Sequence, residues 1–102
     1  MKSELLKSNL KQIEALCERY GVVRLDAFGS ILRDDFSAKS DIDFLVLFKR
    51  DEQTNAFNQY FDLKEALEAL LQRDVDLVCA NAIRNSFFQQ EVERSRFLLY
   101  AA

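Results

Sequence analysis

Gly29-Ser30, ten residues, then Asp41-Ile42-Asp43-Phe44-Leu45-Val46-Leu47-Phe48 is the stretch that decides the fold. Phe44 to Phe48 is apolar on both faces, which predicts a strand in the interior of a sheet. Alternation along it sets Asp41, Asp43, Leu45 and Leu47 on one face, so two acids head a row expected to continue as core. Just upstream, Val22 to Phe28 reads as a second strand, with Val23, Leu25 and Ala27 facing one way and Arg24 and Asp26 the other. Gly29-Ser30 breaks that strand. Ser30 to Asp34 can then form a short helical turn, and Asp35 to Ser40 a polar loop.

On the N-terminal side, Leu6, Leu10, Ile13, Cys17 and Tyr20 recur at spacings of four and three, marking an amphipathic helix that Gly21 can end in a left-handed cap. On the C-terminal side, the charged loop Lys49 to Gln53 leads to a helical stripe of Tyr60, Leu63, Leu67 and Leu70, with Thr54 or Asn55 as N-cap. Val75 to Val78 returns as a strand. Asn81 and Asn85 offer caps for a last short helix carrying Phe88 and Val92, and Phe97 to Tyr100 closes as an edge strand. The order α-β-α-β-α-β-α-β implies an α/β (α+β) fold, a mixed sheet with helices packed mainly on one side. No repeat, linker or low-complexity segment divides the chain, and residues 1–102 are expected to form one domain.

Composition narrows the chemistry. The 102 residues carry 14 basic and 17 acidic side chains, a net charge of -3, which disfavours a long grip on a phosphate backbone, and no direct nucleic-acid binding is expected. The absence of histidine removes the usual general base, the usual zinc ligand and every Ser-His or Cys-His nucleophile pair. Carboxylates, hydroxyls, Lys, Arg or a hard metal must do the work. Cys17 and Cys79 stand far apart in apolar patterns, with no secretory signal before them, and read as buried free thiols of a cytoplasmic protein. No apolar run approaches a membrane span.

Two anions side by side on a sheet cost on the order of several kcal/mol unless something neutralises them, and a divalent cation does so directly. Oxygen donors without His or Cys point to magnesium or manganese, and a two-metal site needs about three acids converging from separate elements. Asp76, inside the strand Val75 to Val78, is the natural third ligand. Asp74, which follows Gln72-Arg73 in a polar turn, competes with it. Gly29 would let a phosphate approach the backbone closely, at the start of a helical turn whose free N–H groups favour an anion.

Phe28-Gly29-Ser30, Arg33, Ser40-Asp41-Ile42-Asp43-Phe44-Leu45-Val46 and Val75-Asp76-Leu77-Val78 together resemble the minimal nucleotidyltransferases of the DNA polymerase beta-like superfamily. The resemblance runs from about Leu25 to Val78, and the closing Phe97-Leu98-Leu99-Tyr100 is also similar to the ending of these short proteins. The chain departs from the usual Arg-Gly pair by placing Asp34 after Arg33. The resemblance implies the nucleotidyltransferase fold and transfer of a nucleoside monophosphate from a magnesium-bound triphosphate to an acceptor hydroxyl. Asp41 and Asp43 would hold two magnesium ions, Asp76 would bind the ion nearer the acceptor and help take its proton, and Gly29, Ser30, Arg33 and Ser40 would meet the triphosphate.

Short members of this family resemble the antitoxin half of HEPN-MNT toxin-antitoxin pairs, which transfer AMP from ATP to a tyrosine of a partner RNase. A HEPN-family RNase toxin is therefore the expected partner, in a hetero-oligomeric complex. The same residues would serve a small-molecule, aminoglycoside-like nucleotidyltransferase, or an antitoxin whose idle triad leaves it to act by binding alone. The cluster Phe57, Tyr60 and Phe61 reads as core or as a partner-facing helix surface.

Overall fold

The computed structural model describes residues 4–29, 41–80, 90 and 96–102. The N-terminal apolar stripe forms two helices rather than one, α1 (Glu4–Ser8) and α2 (Leu10–Arg19). Asn9 sits at the break: its side-chain amide donates to the Leu5 carbonyl at 2.8 Å, and its backbone N–H bonds three residues back to Leu6 at 3.2 Å. A short amide side chain offers the backbone this local alternative to a continuous helix. Leu6, Ile13 and Cys17 still fall on one buried face. Gly21, at φ +70°, turns the chain out of α2 as its position requires.

Strand β1 (Val22–Phe28) follows, then β2 (Ile42–Phe48), helix α3 (Ala56–Leu71), β3 (Val75–Cys79) and β4 (Phe97–Ala101). Asn55 caps α3, its side-chain oxygen accepting from the Asn58 N–H at 3.0 Å. The stripe of α3 buries Leu63, Leu67 and Leu71, with Leu70 and Tyr60 packed at its margin. The expected last helix around Phe88 and Val92, its caps Asn81 and Asn85, and the turn from Ser30 to Asp34 lie outside the described residues.

The strands order as β3-β2-β1-β4, with β2 parallel to β3 and the other neighbours antiparallel. The sheet is therefore mixed, and Phe97–Ala101 lies at its edge. Leu25, Ala27, Ile42, Phe44, Val46, Val75 and Leu77 join Leu6, Ile13, Cys17, Leu63 and Leu67 in one core, so the described helices cover one face. The row headed by Asp43 lies on the other face and does not continue as that core. Leu45 is buried in a small separate cluster with Phe28, Val78 and Ala80, while Leu47 is 38% exposed. The period of the strand separates two faces but does not say which one the helices will cover.

Candidate functional site

Three positions meet on the face away from the described helices α1, α2 and α3. In the antiparallel pairing of β1 with β2, Phe28 stands opposite Asp43. In the parallel pairing of β2 with β3, Asp43 stands opposite Asp76. Register partners share a face, so the two carboxylates are carried side by side on strands about 4.8 Å apart. Asp43 is half-buried and Asp76 exposed.

Gly29 closes the near side. It adopts φ +75°, and a Cβ there would lie 2.5 Å from Oδ2 of Asp43. No L-residue fits without moving that carboxylate, so the glycine and the acid are placed by one another. Asp41, one residue ahead of β2, is exposed. Asp74 is exposed ahead of β3, and its carbonyl accepts the Ile42 N–H at 3.0 Å, joining the starts of β2 and β3. Ser30, Arg33 and Ser40 lie outside the described residues.

Among the described residues, no group of three or more His, Cys, Asp or Glu is drawn together closely enough to hold a metal ion. The adjacent Asp43 and Asp76 nevertheless suit a hard cation: both donors are carboxylate oxygens, and the glycine leaves the Asp43 carboxylate against bare backbone.

Tyr60 ties α3 to this corner by donating its hydroxyl to the Leu77 carbonyl at 2.6 Å, one residue from Asp76. Burial, and then the nearby Cys79 and Asp76, push the Tyr60 hydroxyl above its ordinary pKa. The aromatic cluster divides: Tyr60 packs on the core, whereas Phe57 is 69% and Phe61 41% exposed, their rings 4.6 Å apart.

A second group on the same face was not singled out from the sequence. Asp26 is the buried charged side chain among the described residues, only 1% exposed. Arg24 grips it with two bonds, Nε to Oδ1 at 2.8 Å and Nη2 to Oδ2 at 3.3 Å, and Arg96 approaches with Nε 3.4 Å from Oδ2. The bond and the charge of Asp26 raise the Arg24 pKa above its already high ordinary value. These residues line a pocket of about 200 Å³ with Leu45, Leu47 and Ala80. A charged pair two apart inside an interior strand was the available signal.

Residues 10–99 match the family model described as nucleotidyltransferase domain. The chain belongs to this nucleotidyltransferase family. It is 36% identical over 91 residues to the candidate protein adenylyltransferase MJ0128 of Methanocaldococcus jannaschii, covering 89% of this chain and 90% of that one. To the protein adenylyltransferase MntA of Thermococcus cleftensis it is 39% identical over 70 residues, 69% of this chain and 68% of the relative. Among solved structures, it superposes on an MNT antitoxin complex with the tri-AMPylated HEPN toxin of Shewanella oneidensis, with TM-score 0.65 and 25% identity. That match covers 100% of this chain and 74% of the other. As in other nucleotidyltransferases, the substrate is a nucleotide, and the mixed four-stranded sheet with helices is this family's fold. No helix among the described residues is long and apolar enough to cross a membrane.

Proposed function

We propose that this nucleotidyltransferase is a magnesium-dependent antitoxin that transfers AMP from ATP to a tyrosine hydroxyl of a cognate HEPN RNase. The observation that carries the reading is the packing of Asp43 between Gly29 and Asp76, which offers adjacent carboxylates beside a backbone that lacks a Cβ. The MntA relative and the tri-AMPylated toxin bound to a similar antitoxin favour a partner protein as acceptor.

In this reading Asp41, Asp43 and Asp76 would hold the two magnesium ions that the resemblance implies. Magnesium, when bound, offsets the triphosphate charge and lowers the pKa of the acceptor hydroxyl. The tyrosine oxygen forms a bond to the α-phosphorus, and the bond from that phosphorus to the oxygen bridging to the β-phosphate breaks. Pyrophosphate leaves with the electron pair, and the phenolic proton passes to Asp76. Gly29 admits the phosphates to the backbone, and Ser30, Arg33 and Ser40 contact them. The setting is the cytoplasm, where ATP and magnesium are supplied.

The test is tandem mass spectrometry of the HEPN RNase after incubation with this chain, ATP and magnesium. AMP mapped to one tyrosine, and absent when EDTA is added, is the expected result. A mark on no protein residue, with AMP found on a small molecule instead, would overturn the assignment of acceptor.

A further inference from the structure

The pocket around Asp26 lies on the same face as Asp43 and Asp76. Phe28 is the cross-strand neighbour of Asp43, and Asp26, two residues back along β1, is the neighbour of Leu45. The group therefore sits one strand over and one side-chain row along from Asp43, a step of roughly 7 Å along the strand. Its floor is apolar, made by Leu45, Leu47 and Ala80, and its rim carries the guanidinium groups of Arg24 and Arg96.

Two arginines against one buried aspartate leave a local excess of positive charge close to a pair of acids. A guanidinium has five N–H donors. Asp26 accepts from two on Arg24, which fixes that planar group, and pairs by charge with Arg96, whose Nε lies 3.4 Å from Oδ2. Gathered about one carboxylate, the two guanidinium groups suit a phosphate, which planar guanidinium donors recognise well. A pocket with an apolar floor and such a rim fits a nucleotide's phosphate and sugar.

The geometry points to an acceptor subsite: the Arg24–Asp26–Arg96 pocket binds the phosphate and sugar of an AMP already attached to the acceptor, presenting a ribose hydroxyl of that AMP for a further transfer. This rests on the adenylyltransferase reading and names the residues that would serve repeated transfer, of which the tri-AMPylated toxin of a similar complex is an example. The placement suits the task, because the separation between pocket and acids is of the order of that between a ribose hydroxyl and the phosphate on the same nucleotide. In each later step the ribose oxygen bonds to the α-phosphorus of a new ATP, pyrophosphate leaves, and the hydroxyl proton passes to Asp76 as in the first.

Binding is measured by calorimetry with N-acetyl-O-adenylyl-tyrosinamide and with N-acetyl-tyrosinamide, on the wild type and two variants. Arg96→Gln removes one guanidinium while leaving the Arg24–Asp26 pair. Arg24→Gln/Asp26→Asn replaces the buried charged pair by neutral side chains of similar shape. Circular dichroism establishes that each is folded.

The wild type should bind the adenylylated compound roughly tenfold or more tightly than the bare one, and each variant should lose most of that preference. On the HEPN RNase, the ratio of multiply to singly AMP-modified product should fall by a similar factor. Equal binding of the two compounds by the wild type, or an unchanged preference in folded variants, overturns the subsite while leaving single AMP transfer standing. An equal loss of affinity for a non-hydrolysable ATP analogue would assign the pocket to the donor nucleotide and also overturn it. No AMP on the RNase with any of the proteins would defeat the underlying adenylyltransferase reading instead.

Discussion

Replacing Gly29 with alanine would set a methyl group 2.5 Å from Oδ2 of Asp43 while holding an L-residue at φ +75°. The left-handed backbone alone costs about 1–2 kcal/mol, and the carboxylate must also move. Gly29→Ala should thus lower AMP transfer about tenfold or more with the far-UV circular dichroism spectrum retained; wild-type turnover would contradict the placement of Asp43. Cys17 behaves differently. Burial, reinforced by Glu14 and Glu18, raises its thiol from 9.0 to about 12. The folded protein therefore keeps a proton that the unfolded chain releases above pH 9.0, and the stabilising contribution is lost as pH rises from there through about 12. Urea denaturation across that window should show stability falling with pH, with a shallower fall in Cys17→Ala. The strand positions of Asp43 and Asp76, the turn at Gly29 and the burial of Cys17 are legible one residue at a time, whereas Cys79 is only half-buried. The burial of Asp26 is not legible in this way, because Arg96, which pairs with it from just ahead of β4, is remote in sequence.

Among the elements, β1 and β2 are read from the sequence almost to the residue, because β-branched and apolar residues alternate between clear breakers. The N-terminal helix is not, since an unbroken apolar stripe says nothing of the Asn9 side chain bonding back to Leu5. The face covered by helices also escapes the sequence: Leu45 and Leu47 resemble core residues as well as Phe44 and Val46 do, yet only the latter pair joins the main core. Loss of the α3 cap in Asn55→Ala should cost about 1 kcal/mol, through the bond to the Asn58 N–H. Leu63→Ala, at a fully buried site between α3 and the sheet, should cost about 2–5 kcal/mol. Both are read from chemical denaturation midpoints, and similar losses at the two sites would mean that α3 does not carry the core.

For the whole molecule, the organising fact is the division of labour between the sheet's faces. The described helices bury one face, while Asp43, Asp76 and the Arg24–Asp26–Arg96 group lie on the other. The claim that joins these levels is that the Asp43 corner transfers AMP to a HEPN RNase and silences it. Intact-mass analysis of that RNase, paired with an assay of its RNA cleavage, tests this directly. Incubated with the wild type, ATP and magnesium, the RNase should gain mass in whole AMP units and lose activity, and with Asp41→Asn/Asp43→Asn it should do neither. An RNase silenced equally by both proteins with no added mass would contradict the claim and leave an antitoxin that acts by binding alone.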